Sequence, residues 1–188
     1  NNKKEVSFMS VMNTYSGRKF DPMKIAPEDV YLEDIAHALS LVCRGGGQIR
    51  WFYSVGQHSI NCAHEALARG WSDRMALACL LHDASECYIS DVIRPVKVHL
   101  QNYLEIESMI MDAIWEKFHL DDLTDEENQK WKQIDNEILE LELKTLMKGE
   151  KYREIIPLSS TPDLSERTFS SVEKEFKELA LELFQKLS

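Results

Sequence analysis

A chain of 188 residues with 44% hydrophobic and 29% charged side chains fits one globular domain and is too short for two of comfortable size. Its 22 basic and 32 acidic residues leave a net charge of −10, which argues against a nucleic-acid polymer as the main ligand, because binding along a polymer needs a basic surface. A mononucleotide, which needs only a few local cations, is not excluded, and no apolar run approaches the roughly 20 residues of a membrane span.

In chain order, residues 1–30 read as an N-terminal arm. Its turn signals Ser16-Gly17, Asp21-Pro22 and Ala26-Pro27 alternate with short apolar pieces, giving an irregular arm or a small hairpin. From Glu28 the periodicity is helical, with Leu32, Ile35, Ala36, Leu39 and Val42 on one stripe that Gly45-Gly46-Gly47 ends. A second helix is expected over 54–69, closed by Gly70, and a central one over 72–88. Residues 91–97, with Pro95, read as a loop. Long helices follow near 99–118, 124–148 and 165–187, the last two amphipathic and acidic. Almost no strand pattern is present. The expected architecture is a single all-α bundle over 1–188, with residues 165–188 as a C-terminal helix packed on the bundle or on a second subunit.

His82-Asp83 in the apolar central segment, with His58 before it and Asp135 after it, is the most informative constellation. Two imidazoles and two carboxylates from three segments make a mixed nitrogen/oxygen ligand set for one divalent ion. On a helix, Glu86 falls one turn beyond the pair on the same face. Asp135 is flanked by Ile134, Ile138 and Leu141 on the buried side of its helix; Asp122, Asp125 and Asn136 are poorer substitutes. Four such ligands leave two octahedral positions for a water and a substrate oxygen. The set suits Mn²⁺, Co²⁺, Fe²⁺ or Ni²⁺, with Mg²⁺ or Zn²⁺ as further options, better than a closed structural zinc site. His99 and His119 raise the question of a second metal, and one metal is favoured. Cys43, Cys62, Cys79 and Cys87 show no CxxC spacing and read as reduced core thiols. That usage, and the lack of a secretory pattern at the start, point to the cytoplasm.

Gln57-His58-Ser59, Leu81-His82-Asp83-Ala84-Ser85-Glu86, Asp91, Pro95-Val96-Lys97 and Asp135 together resemble the HD-domain metal-dependent phosphohydrolases. Within that superfamily the likeness is to the compact 5′-deoxynucleotidase-like branch and to bacterial and prophage HD hydrolases. Segments such as Thr14-Tyr15-Ser16-Gly17-Arg18 and Glu33-Asp34-Ile35-Ala36-His37-Ala38-Leu39-Ser40 add to it, so that it runs from about Thr14 to Pro157.

The resemblance implies Glu86 and Asp91 as catalytic carboxylates, Glu86 moving a proton to or from the reacting oxygens and Asp91 holding water or the leaving group. The plain alternative for Glu86 is a surface partner for Arg94 or Lys97. Lys97 is implied as a phosphate ligand, with a solvated lysine as its alternative. Arg44 is the positional match for the branch's phosphate-binding Arg, but Gly45 follows it where the branch has an aromatic residue. Arg50-Trp51 has the dipeptide closer to His58, with Trp51 or Phe52 read as packing residues. The implied activity is hydrolysis of a phosphate ester in a small nucleotide, with a (deoxy)nucleoside 5′-monophosphate first among candidates. A nucleoside triphosphate or cyclic-nucleotide phosphohydrolase comes second, and a non-catalytic metal- or nucleotide-binding regulatory module is the reading from another class. The expected partners are a small-molecule nucleotide and, as an option, a second copy in a homodimer; no nucleic-acid polymer and no membrane are expected.

Overall fold

The computed structural model describes residues 11–149 and 154–187. It is an all-α bundle whose described strands are β1 (Met12–Asn13) and β2 (Lys19–Phe20), an antiparallel pair in the N-terminal arm with Met12 opposite Phe20. Helix α1 (Leu32–Leu41) buries Ile35, Ala36 and Leu39, the stripe that its periodicity predicts. Val42 turns extended and Cys43 pairs with Ser54, so the chain doubles back through an Arg44–Gly47 turn. Gly45 and Gly46 both sit at φ 61°, the left-handed region open to glycine at no steric cost, which is how the turn closes in so few residues.

Helix α2 (Val55–Ala68) starts where the Ser54 side chain accepts the Gln57 N–H, and residues 55–63 along it are buried without a break. A helix buried on every side belongs at the centre of a bundle. Gly56 permits the closest crossing: a Cβ there would meet the Leu39 carbonyl group and Val172 at 3.2 Å. Because residues 55–63 are enclosed, polar side chains there gain from partners inside the protein. Glu65 accepts the N–H groups of Ser159 and Ser160, while Gln57 and Asn61 donate to the Asp163 carbonyl. These bonds strap the segment before the last helix across α2.

Helix α3 (Asp73–Leu81), capped by Ser72, is apolar and buried throughout from Met75. It stops at Leu81, short of the continuous helix expected over 72–88. Residues 82–85 form a tightened turn, with the Ala84 N–H donating to the Leu81 carbonyl, before α4 (Glu86–Ile89) begins. The His82 ring supplies the local reason: its Nδ1 lies 2.7 Å from the Cys79 carbonyl oxygen, an acceptor that a continuing helix would use for its backbone. Residues 94–97, expected as loop, form one helical turn, α5 (Arg94–Lys97), with Pro95 in its first turn where the missing N–H costs nothing.

Three long helices complete the bundle: α6 (Gln101–Lys117), α7 (Asp125–Leu146) and α8 (Phe169–Gln185). A Thr124/Glu127 capping box starts α7. On α8 the apolar stripe Val172, Phe176, Leu179, Ala180 and Leu183 is buried against α1, α2 and α3, so the last helix packs on its own bundle. No helix among the described residues is long and apolar enough to cross a membrane.

Candidate metal centre

Helix α2 delivers His58, the turn after α3 delivers His82 and Asp83, and α7 delivers Asp135. Their ligand atoms converge. His58 Nε2 lies 3.4 Å from His82 Nε2, 3.2 Å from Asp135 Oδ1 and 3.9 Å from Asp83 Oδ2. His82 Nε2 lies 3.3 Å from Asp83 Oδ2 and 3.7 Å from Asp135 Oδ1. Bonds of about 2.1 Å to a shared ion put neighbouring donors about 3 Å apart, so a small contraction of this cluster would close it on one cation. The four residues read as ligands are therefore brought together from segments up to 77 positions apart.

The far sides of both rings fix which nitrogen faces the cluster. His82 Nδ1 donates to the Cys79 carbonyl, since a carbonyl can only accept, and this leaves Nε2 for a ligand. His58, fully buried, points Nδ1 at Glu142 Oε1, 2.6 Å away. The same Glu142 oxygen accepts the Tyr53 hydroxyl at 2.7 Å, and Oε2 lies 3.4 Å from the Arg44 guanidinium. A carboxylate behind a ligand histidine holds the ring's orientation and raises its basicity. Sequence reasoning missed Glu142 and Tyr53. The available signal was spacing: Glu142 lies seven residues, almost two full turns, after Asp135 and so on the same face of α7.

Cys62, one turn after His58, was expected to be a plain core thiol. Its Sγ lies 3.5 Å from His58 Nε2, and His58, Cys62 and His82 make up a buried group whose ligand atoms fall within 4.8 Å of one another and could hold a metal ion. Burial pushes the Cys62 thiol up, and Asp135 and Cys79 add to this. The Asp83 and Asp135 carboxylates are shifted the other way. Both lie below the ordinary carboxylate range: burial alone would raise them, but His82 for Asp83, and His58 with His82 for Asp135, outweigh it. The cluster thus gathers two imidazoles, the thiol of Cys62 and two carboxylates as candidate donors.

Arg44, expected as a phosphate ligand, is paired here with carboxylates of the cluster. Its side chain is 13% exposed and turned inward, donating to Asp83 Oδ2 at 3.1 Å and lying 4.0 Å from Asp135 Oδ1. Burial would lower its pKa, but Glu142, Asp83 and Asp135 raise it well above normal, so the cation is permanent. It contacts the same carboxylate oxygens, Asp83 Oδ2 and Asp135 Oδ1, that face the two histidines. Arg50 is exposed, and the Trp51 indole N–H donates to the Leu164 carbonyl 2.8 Å away, a packing role as expected.

Beside the ligands opens a cavity of about 570 Å³, lined by His82, Asp83 and Asp135 and by Arg94, Lys97 and Trp131 among others. Lys97 Nζ lies 2.5 Å from Glu107 and 3.9 Å from Glu86 Oε1. Glu86 is 3% exposed and its Oε2 has no hydrogen-bond partner; burial, then Asp83 and Asp91, push its carboxyl well above the usual range. Asp91 accepts the Gly45 N–H at 3.1 Å, tying the glycine turn to the end of α4. His99 and His119 are exposed and outside the cluster; His119 stacks on Phe184.

No family model matches the chain. It is similar to the Uncharacterized protein YfdR of Escherichia coli (strain K12), 38% identical over 112 residues that cover 60% of each chain. It is also similar to the Uncharacterized protein RCAP_rcc00048 of Rhodobacter capsulatus, 40% identical over 111 residues that cover 56% of each. The chain therefore aligns with less than two thirds of the length of either relative.

Proposed function

We infer that the protein is a metal-dependent phosphohydrolase of the HD-domain type, cleaving a phosphate ester of a small nucleotide, with a (deoxy)nucleoside 5′-monophosphate as the leading substrate. The observation that carries this reading is the convergence of four nitrogen and oxygen ligand atoms beside an open cavity that also presents Arg94 and Lys97. Two imidazoles and two ionised carboxylates fit one divalent ion of intermediate hardness and leave ligand positions for solvent and substrate. When bound, such an ion supplies Lewis acidity toward a phosphoryl oxygen and makes a water more acidic.

The chain's own residues supply the rest. Arg94, 58% exposed, and Lys97 offer cationic donors to a phosphate dianion entering the cavity. Asp135 Oδ2 and Asn136 Oδ1 hold the Arg94 guanidinium at 3.3 and 2.8 Å, so it is already oriented. Hydrolysis breaks the bond from phosphorus to the ester oxygen and forms one to a water oxygen; the departing alkoxide needs a proton. Glu86, whose burial favours the neutral carboxyl, is the candidate donor. Arg44 helps to hold Asp83 and Glu142 in their charged forms.

A hydrolysis screen tests the reading: phosphate, pyrophosphate or triphosphate released from nucleoside mono- and triphosphates, and ring opening of cyclic nucleotides to monophosphates, with each of Mn²⁺, Co²⁺, Fe²⁺, Ni²⁺, Mg²⁺ and Zn²⁺ added. The expected result is release that depends on an added ion, is greatest for a 5′-monophosphate and stops with a chelator. Silence across every pairing would overturn it in favour of a binding module.

A further inference from the structure

We propose that substrate choice at this centre rests on an indole wall, Trp131 with Trp115, on which a nucleobase stacks while Lys132 and Arg94 take the phosphate side. This rests on the phosphohydrolase reading and adds the feature that reading lacks: Gly45 provides no aromatic ring, and Trp51 is committed to Leu164.

Trp115 of α6 and Trp131 of α7 both line the cavity beside the metal centre, with Leu104 and Met111 adding apolar surface. The Trp131 ring centroid lies 5.5 Å from that of His82, so the wall begins at a ligand residue. The Trp131 indole N–H already donates to Asn128 Oδ1 at 3.0 Å. The ring is thereby fixed, asks nothing polar of a ligand, and offers a π-face. Lys132 Nζ stands 5.2 Å from the same ring and is exposed; among the described residues no carboxylate pairs with it. A lysine resting on an indole is a mobile cation that an incoming base can displace and a phosphate can capture. The cavity size falls within the usual range for a small-molecule site.

Charge supports the same ligand. Arg94, Lys97 and Lys132 offset Asp83, Asp135 and Glu107 in the lining, so a divalent ion would leave a surplus of two positive charges. That matches a phosphate monoester dianion carrying an uncharged aromatic base. A bare sugar phosphate has the same charge and nothing to set against the indoles.

The test compares 2′-deoxyadenosine 5′-monophosphate with 2-deoxyribose 5-phosphate, which lacks only the base, on wild type, Trp131→Leu and Trp115→Leu at matched metal content. Base stacking predicts that kcat/KM for the nucleotide exceeds that for the sugar phosphate by roughly 10- to 100-fold, and that Trp131→Leu removes most of this advantage, lowering the nucleotide far more than the sugar phosphate. Trp115→Leu, in a helix that carries no ligand, should remove part of it and guards against any loss of metal from the α7 variant. Equal kcat/KM for the two compounds in wild type, or equal losses for both in the variants, would overturn the proposal. If wild type releases no phosphate from either, titrating 2′-deoxyadenosine 5′-monophosphate against indole fluorescence decides it separately. Quenching that disappears in Trp131→Leu sustains the wall while the hydrolase reading fails, and the absence of quenching in wild type refutes it.

Discussion

Glu86→Gln should lower turnover by roughly 10²–10⁴ while metal and nucleotide still bind, the usual contribution of a positioned general acid or base. The amide has the shape of the carboxyl but cannot deliver its proton to a leaving oxygen. The residue's surroundings make this a test of chemistry rather than of folding. Glu86 is enclosed and its Oε2 is unpartnered; of the cations that act on it, Arg44 is paired with Asp83 and Lys97, 3.9 Å away, is engaged by Glu107. A buried carboxyl with an unmet lone pair costs on the order of 1–3 kcal/mol, a cost retained here three residues after Asp83 and 3.9 Å from the cavity-lining Lys97. Steady-state kinetics together with metal content would check it. Full activity in the variant would make Glu86 structural and move the proton to another route.

Glu142→Ala should weaken metal binding by about 10–100-fold and cost roughly 3–5 kcal/mol of folding free energy. Its carboxylate takes a proton donor from each of three sources: the Tyr53 hydroxyl, His58 Nδ1 and the Arg44 guanidinium. Truncation leaves all three unmet in the interior and lets the His58 ring turn. Burial would raise the Glu142 carboxyl, but His58 and Arg44 outweigh it and keep the group ionised. Glu142→Gln, which retains an acceptor oxygen but not the charge, should fall between alanine and wild type. Chelator competition gives the affinity and urea unfolding the stability. Wild-type metal affinity in Glu142→Ala would mean that α2 alone orients His58.

Much of the architecture was legible because it depends on local rules. The stripe on α1, the starts of α2, α3 and α7 near 54, 72 and 124, and the amphipathic face of α8 all follow from spacing along the chain. The helix expected over 72–88 overruns the end of α3 because nothing between Leu81 and Glu86 is a helix breaker; the bond from the His82 ring to the Cys79 carbonyl shows why the turn tightens there. The four ligand types were identifiable, since few side chains offer such atoms, and the fold brings all four within reach. Roles set by long-range packing were not legible. Arg44 faces Asp83 and Glu142 because the Arg44–Gly47 turn folds it inward, and a separation of 98 residues carries no pattern that would reveal it. Cys62 sits at the centre only because α2 is enclosed on all sides.

Elemental analysis of purified wild type, His82→Ala, Asp83→Ala and Cys62→Ser tests the metal centre most directly, with circular dichroism confirming that each variant keeps its helices. The expected result is one divalent ion per chain in wild type and in Cys62→Ser, and loss of that ion in His82→Ala and Asp83→Ala. Unchanged metal content in the folded His82→Ala and Asp83→Ala proteins would contradict the assignment of His58, His82, Asp83 and Asp135 as the ligands.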